Sequence, residues 1–190
     1  MATKHSTQLG VTGKEGTVYL VTIDGKEYAK KEFKSSKSIS RIRTEADFQK
    51  KAADVGVAPN VIEISTQRPP YIIMEKMDCN VLDVIKNQNG ELTEDQQKNI
   101  LSLYKRLDNI GILHNDSNPL NLMYSGKDWK LVDYGFSKKI TTKHCTNPNL
   151  NITVRFLLKS TKGLLTRKYL KKEPTILLKA LDSKDYSIIE

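Results

Sequence analysis

The segment from His114 to Gly135 restricts the possible folds of this chain more than any other part of the sequence. Its first part follows the pattern H-x-D-x-x-x-x-N, with Asp116 and Asn121 at the last two fixed positions, and its second part ends an apolar run with Asp133 in D-x-G. Either half alone could be an ordinary turn, because Asp, Asn, Gly and Pro are common turn residues. Both halves in order, joined by a short hairpin, favour two loops that bring the three side chains together. The amide oxygen of Asn121 and the carboxylate of Asp133 are ligands of the kind that Mg²⁺ prefers.

A β-hairpin is predicted in the first part of the chain. Residues 18–23 and 26–33 are rich in β-branched and aromatic side chains, and Asp24-Gly25 between them is typical of a two-residue turn, since both central positions need positive φ. On the return strand, alternation places Ala29 and Lys31 on one face and leaves Lys30 solvated on the other.

Residues 40–55 have the spacing of an amphipathic helix. The apolar side of this helix contains Ile42, Ala46, Gln49 and Ala53, and Gly56 suits its end. Glu45 and Asp47 lie about 200° apart on a helix, so only one of them can face inward.

Further elements are predicted along the rest of the chain. Residues 61–64 and 71–75 form two more strands, and Thr93 with Gln96 forms a capping box that starts a helix. Gly111 suits the end of that helix, whose core face contains Ile100, Leu103, Tyr104, Leu107 and Ile110. A second hairpin at 122–132 links Asn121 to Asp133, and residues 151–165 and 174–181 have helical patterns.

Composition and charge limit the class of protein. With 190 residues and 38% hydrophobic content, the chain suits one compact domain or two small lobes. No apolar run reaches transmembrane length, residues 1–10 contain no signal-peptide stretch, and the two cysteines indicate neither a disulfide framework nor a zinc site. An intracellular, cytoplasmic location is therefore expected. The net charge of +9 is concentrated in residues 138–190, where twelve basic residues oppose four acidic ones. Such a region can attract acidic peptides, nucleic acid or membrane lipid, although a solvated basic helix face is the commoner explanation.

Taken together, six motifs between residues 9 and 139 resemble those of the protein kinase superfamily, in the family's order. They are a glycine-rich loop, a strand similar to V-A-I-K, a helix glutamate, a last strand with a hinge, H-x-D-x-x-x-x-N and D-x-G. The resemblance implies an α+β fold with two lobes in a single kinase-like domain, 1–190. The N-lobe, 1–75, would be a five-stranded antiparallel sheet with one helix, and the C-lobe, 76–190, would be reduced and mainly helical.

The resemblance also implies roles for particular residues, with ATP and Mg²⁺ as cofactors and a protein as substrate. The catalytic residues would be Asp116, which orients and deprotonates the acceptor hydroxyl, and Lys31, which holds phosphates and is fixed by Glu45. Asn121 and Asp133 would bind Mg²⁺. The positions implied for ATP binding are Gly13, Gly16, Val18, Ala29, Lys31, Met74, Glu75 and Met77, with Met74 as gatekeeper and the main chain of Glu75 and Met77 facing adenine.

Among kinases, the chain is most similar to minimal, atypical ones, the RIO kinases and the small kinase of the KEOPS tRNA-modification complex. A reduced viral kinase would look similar. The run Arg43-Thr44-Glu45-Ala46, the stretch at 56–59 and the lack of A-P-E and of D-x-W-x-x-G carry this likeness.

Several positions depart from the usual kinase pattern. Val11 occupies the position of the loop's first glycine, and Tyr134 replaces the phenylalanine of D-F-G. Asn115 replaces the arginine that commonly binds a phosphorylated activation loop, so activation by that route is not expected. Asn118 stands where many kinases place a lysine on the γ-phosphate, which implies slow or differently arranged catalysis.

The resemblance implies an ATP- and Mg²⁺-dependent serine/threonine protein kinase that also phosphorylates itself. One alternative is a small-molecule kinase similar to aminoglycoside and choline kinases, which share H-x-D-x-x-x-x-N. Another is a nucleotide-binding or ATPase-switch module in a larger assembly, bound to RNA through the basic C-terminal region. The sequence does not indicate an oligomeric state.

Overall fold

The computed structural model describes residues 4–10, 12–126, 128–159, 165 and 169–190. The chain divides into two compact units, Met1–Met77 and Asp78–Glu190. Val11, Lys127 and residues 160–164 of the predicted helix at 151–165 lie outside the described residues. No helix among the described residues is both long enough and apolar enough to cross a membrane.

The first unit contains a five-stranded antiparallel sheet with one helix, as the sequence predicted. Its strands follow the order β1-β2-β3-β5-β4. Their bounds are β1 Lys4–Gln8, β2 Gly16–Ile23, β3 Lys26–Phe33, β4 Val61–Ser65 and β5 Tyr71–Glu75. Strand β1 had not been located from the sequence, because its residues are polar and it lies at the edge of the sheet beside β2.

The turn between β2 and β3 has the predicted two-residue form. Asp24 and Gly25 both have positive φ, 51° and 80°, and Ile23 pairs directly with Lys26. This turn fixes the register in which Leu20 faces Ala29 and Val18 faces Lys31. Ala29, Lys31 and Phe33 therefore share one face of β3.

The helix α1, Ile39–Asp54, covers that face of the sheet. It begins at Ser38, whose hydroxyl accepts a hydrogen bond from the Arg41 backbone N–H. A core cluster forms where α1 meets the sheet, built from Phe33, Ile42, Ala46, Ile72 and Met74. The predicted helix face was correct except at its end, where Ala52 is fully buried and Ala53 is only half-buried.

The helices of the second unit are α2 Val81–Asn87, α3 Glu94–Asn109, α4 Arg155–Lys159 and α5 Thr175–Ser183. The capping box of α3 is confirmed, since Thr93 accepts from the Gln96 N–H and Gln96 accepts from the Thr93 N–H. Ile100, Leu103, Tyr104 and Leu107 are buried as predicted, whereas Ile110, just past the end of α3, is partly exposed.

Short strands of the second unit position its loops. They are β6 Cys79–Asn80, β7 Ile112–Leu113, β8 Leu122–Ser125, β9 Asp128–Leu131 and β10 Lys138–Lys139. The predicted hairpin is formed by β8 and β9, with Leu122 opposite Leu131 and the Tyr124 ring 5.0 Å from Trp129. Strand β10 pairs with β7, and a π-helical turn, Asn149–Val154, leads into α4.

Candidate active site

In the first unit, Lys31 of β3 is ion-paired with Glu45 of α1. The Lys31 Nζ lies 2.6 Å from Glu45 Oε1, and the Glu45 side chain is only 2% exposed. The pair forms because Lys31 is on the face of β3 that α1 covers, while Ile42 and Ala46 hold α1 against it. Asp47 is exposed, so Glu45 is the inward carboxylate of the two candidates.

Glu45 also binds a second lysine, Lys37, which sequence reasoning missed. The Lys37 Nζ lies 2.6 Å from Glu45 Oε2 and also contacts Glu15. No sequence motif includes Lys37, which lies in the turn between β3 and α1. Lys30, predicted to be solvated, is instead partly buried, pairs with Glu32 at 3.1 Å and lies over the Tyr71 ring.

Gly13 and Gly16, the first residue of β2, form a closed turn. The Gly13 N–H donates to the Gly16 carbonyl at 2.8 Å. At Gly16 the backbone passes so close to β3 that an added Cβ would lie 2.1 Å from the Glu32 carbonyl oxygen. Only glycine fits there without moving the main chain.

The end of β5 carries the predicted adenine-facing residues. Met74 is buried in the core cluster, and Gln49 Nε2 lies 3.4 Å from its sulfur. The Glu75 N–H donates to the Asn60 carbonyl, and the Glu75 carboxylate accepts hydrogen bonds from the Asn60 main chain and side chain. These contacts fix the direction of the chain as it enters residues 76 and 77.

In the second unit, the loop after β7 holds Asp116 in one orientation. Asp116 Oδ1 accepts from the Asn118 N–H at 3.0 Å, and Oδ2 accepts from Asn121 Nδ2 at 2.8 Å. Because the Asn121 amide nitrogen is used, its oxygen is the group left for another ligand. No described residue donates a hydrogen bond to that oxygen.

The departures at Asn115 and Asn118 have local structural roles. Asn118 caps the short helical turn Pro119–Asn121, where its side chain accepts from the Leu120 N–H. Asn115 has a φ of 61°, a left-handed conformation that asparagine tolerates better than most residues, and its amide donates to the Phe136 carbonyl. Asn115 thus links this loop directly to the segment that follows Asp133.

Asp133 follows β9 and also has positive φ, 65°. The hairpin register places it near Asn121, because the Val132 N–H donates to the Asn121 carbonyl at 3.0 Å. One carboxylate and one amide oxygen on adjacent chain segments suit a hard divalent cation such as Mg²⁺.

His114 and Tyr134 lie behind these two loops. His114 is fully buried, its ring nitrogens are each 3.2 Å from the carbonyl oxygens of Asp116 and Val132, and its ring meets Tyr134 edge-on. Burial lowers the pKa of His114, against the opposite effect of the Asp116 charge. The Tyr134 hydroxyl is buried without a hydrogen-bond partner among the described residues.

Asn149 holds the start of the loop that carries Asp116, and it was also missed from the sequence. Its Oδ1 accepts from the His114 N–H at 2.8 Å, and its Nδ2 donates to the Ile112 carbonyl and to Asp108. Asp108 accepts a further hydrogen bond from the Tyr186 hydroxyl at 2.7 Å. Burial raises the pKa of Asp108, and these donors oppose that rise.

Each unit therefore carries one half of a recognisable set of residues. The first has a glycine turn, a strand lysine and its helix glutamate, and the second has H-x-D-x-x-x-x-N joined by a hairpin to D-x-G. This set, on a five-stranded sheet followed by a helical unit, defines the class of kinase-like proteins. The chain belongs to the protein kinase domain family, whose sequence pattern matches residues 4–173.

Similarity to individual kinases is weaker. The chain is 26% identical to cyclin-dependent kinase F-3 of Oryza sativa subsp. japonica over 92 residues, covering 44% of this chain and 21% of that protein. It is 31% identical over 100 residues to the probable serine/threonine-protein kinase PknB of Lactococcus lactis subsp. lactis (strain IL1403), covering 48% and 16%. Cyclin-dependent kinase F-4 of the same rice is 30% identical over 76 residues, covering 38% and 17%. The matches thus span about a fifth or less of these relatives' lengths.

Proposed function

We propose that the chain is an ATP- and Mg²⁺-dependent protein kinase that phosphorylates serine or threonine hydroxyls, including its own. The observation that carries this proposal is the arrangement of Asp116 and Asn121. Both oxygens of Asp116 accept hydrogen bonds from within its own loop, so its carboxylate has a fixed direction. A fixed carboxylate is what orientation of an acceptor hydroxyl requires.

Each remaining role follows from the chemistry of the side chain. Asp116 would orient the acceptor hydroxyl and take its proton, while Asn121 and Asp133 would bind Mg²⁺ through oxygen. Bound Mg²⁺ would neutralise negative charge that develops on the transferring phosphoryl group. Lys31, held by Glu45, would bind phosphate oxygens, and the turn at Gly13 and Gly16 would bring backbone N–H groups close to them.

The remaining expected positions concern adenine. Val18, Ala29 and Met74 would contact the base, and the main chain of Glu75 and Met77 would provide its polar contacts. Val18 and Ala29 lie on the adjacent strands β2 and β3, and Met74 faces Ala29 across β3 and β5. This register brings the three side chains to one region of the sheet.

We further propose that the protein is of the minimal, atypical kind that the RIO kinases represent. The segment after Asp133 supports this type, since hydrogen bonds to other parts of the same unit hold it in place. Asn115 donates to the Phe136 carbonyl, the Ser137 hydroxyl donates to the His114 carbonyl, and β10 pairs with β7. Phosphorylation of this segment is therefore not needed to order it.

The test is transfer of radiolabelled γ-phosphate from ATP in the presence of Mg²⁺, with and without a generic protein acceptor. Wild type is compared with Asp116→Asn and Asp133→Ala, and Asp47→Asn is the control that removes an exposed carboxylate. We expect labelled protein with wild type and with Asp47→Asn, and a loss of about 100- to 10,000-fold with Asp116→Asn. Transfer that persists in Asp116→Asn would contradict the proposed role. Label found only on small alcohols, or free phosphate without labelled protein, would replace the protein kinase proposal with one of the two alternatives.

A further inference from the structure

Four charged side chains form a cluster in the first unit, which we call the Glu45 cluster: Lys31, Lys37, Glu45 and Glu15. Glu45 stands at its centre, with Lys31 on Oε1 and Lys37 on Oε2, each at 2.6 Å. The Lys37 side chain is 6% exposed, less than that of Lys31 at 11%. Lys37, which belongs to no sequence motif, is thus at least as buried as Lys31, which belongs to the strand motif.

Glu15 brings a second carboxylate to the cluster. A buried lysine without an opposite charge beside it would be costly in a protein interior. The Glu15 carboxylate contacts Lys37, so Lys37 is bound by two carboxylates, those of Glu15 and Glu45. The Phe33 ring lies against both ammonium groups, 5.2 Å from Lys31 Nζ and 4.7 Å from Lys37 Nζ.

Glu15 also belongs to the glycine turn. It stands between Gly13 and Gly16, and its own carbonyl accepts from the Lys34 N–H at 2.9 Å. The turn is therefore attached to the end of β3 twice, by this backbone hydrogen bond and through the side chain of Lys37. Lys37 in turn leads directly into Ser38, the cap of α1.

Lys37 lies directly before Ser38, the N-cap of α1, which is an unfavourable position for a lysine. Residues just before a helix lie near the positive end of its dipole, where a cation is unfavourable. A lysine buried at that position needs strong compensation, which Glu15 and Glu45 provide together. The ion pairs of Lys37 with Glu15 and Glu45 therefore join the glycine turn to α1.

We propose that Lys37 is a positioning residue that ties the glycine turn, through Glu15, to Glu45 and hence to Lys31. This inference deepens the proposed function and rests on it, because the turn and Lys31 are the proposed phosphate-binding groups. Held in this way, both groups keep their relative position before nucleotide binds. In this role Lys37 acts through Glu15 and Glu45.

The first test needs no nucleotide. Amide hydrogen exchange is measured at Gly13 and Lys34, whose N–H groups close the turn and attach it to β3, in the full chain and in the variants Lys37→Met and Glu15→Gln. We expect exchange about tenfold faster at both amides in both variants. Lys30→Met is the matched control, since Lys30 also pairs with a glutamate and covers an aromatic ring but does not contact Glu45. The Glu15 side chain is partly exposed, so the variant Glu15→Gln should still fold. Unchanged exchange at the two amides in Glu15→Gln would overturn the proposal.

The second test measures affinity for ATP and the separate values of kcat and KM. We expect Lys37→Met and Glu15→Gln to weaken ATP binding by about 10- to 100-fold, the usual scale for a residue that orients a binding group. The double variant should be no worse than Lys37→Met alone, because Lys37→Met already removes the contact with Glu15 together with the one to Glu45. Lys37→Arg should recover much of the affinity, whereas a merely structural lysine would change the melting temperature and leave KM at the Lys30→Met value.

The two proposals fail in different ways. A wild type that binds no ATP, with exchange at Gly13 still faster in the variants, would refute the proposed function and retain the positioning role. A wild type that binds ATP with the same affinity as Lys37→Met would refute the positioning role alone. Additive effects of Lys37→Met and Glu15→Gln would also refute it.

Discussion

Replacing Tyr134 with phenylalanine should make this protein more stable. The Tyr134 side chain is 1% exposed, and its hydroxyl has no hydrogen-bond partner among the described residues. The ring itself packs edge-on against His114 at 4.9 Å, and phenylalanine keeps that contact. The substitution thus removes a buried, unsatisfied polar group and leaves the packing unchanged.

The magnitude follows from the state of that hydroxyl. Burying a hydroxyl without a partner costs about 1–3 kcal/mol in proteins, so its removal should raise the free energy of unfolding by that amount. In a chain of this length, 1 kcal/mol corresponds to about 2–4 °C in melting temperature. We therefore expect an increase of about 2–12 °C.

Tyr186→Phe is the matched control in the same unit. Its hydroxyl donates to Asp108 at 2.7 Å, and a hydrogen bond to a carboxylate contributes about 1.5–3 kcal/mol. The same chemical change at this second buried tyrosine should therefore lower the melting temperature by about 3–12 °C. Both variants are melted under identical conditions and followed by far-ultraviolet circular dichroism. A destabilised Tyr134→Phe, or two variants with shifts of the same sign, would refute the reasoning.

Three further predictions concern the loops and their supports. Lowering the pH from about 7.5 to 5.5 should reduce the stability of the folded protein through His114. The pKa of His114 is lowered in the folded state, so the unfolded chain binds more protons in this pH range. The variant His114→Phe should therefore flatten the dependence of melting temperature on pH. Gly16→Ala should lower the free energy of unfolding in urea by about 1–3 kcal/mol, because the new Cβ would collide with backbone, while Gly13→Ala, with 3.4 Å of space, should be tolerated. Asn149→Ala should lower the free energy of unfolding by about 3 kcal/mol in the same assay, because it removes three hydrogen bonds, two of them buried; Asn151→Ala should have only a small effect.

Each of these predictions has an outcome that would contradict it. An unaltered pH slope in His114→Phe would assign the titration to another group. Equal unfolding midpoints for the two glycine variants would mean that the main chain at Gly16 moves freely. A stable Asn149→Ala would show that water or a neighbouring side chain replaces its hydrogen bonds.

The elements set by local residue patterns could be predicted from the sequence. Asp24-Gly25 specified its turn, because few residue pairs accept positive φ at both positions. The capping box at Thr93 specified the start of α3 in the same local way. Glu45 was predicted to face inward rather than Asp47 only because of the kinase resemblance, since helical geometry alone allowed either residue.

Contacts between distant segments were not predictable. Lys37 and Glu15 are 22 residues apart, and a lysine in a turn normally indicates a solvated side chain. Asn149 lies 35 residues from His114, and neither position carries a pattern that signals their hydrogen bond. Strand β1 is polar throughout, so its place in the sheet comes from pairing with β2 and not from hydrophobic alternation.

The β8–β9 hairpin gives this protein an internal optical probe. Trp129 is the only tryptophan in the chain, and it lies buried on β9, between the chain segments that carry Asn121 and Asp133. Excitation at the red edge of its absorption therefore reports on the surroundings of this one buried indole. Titration of the unlabelled protein with a divalent cation can be followed through the emission of this one indole, without mutation or dye.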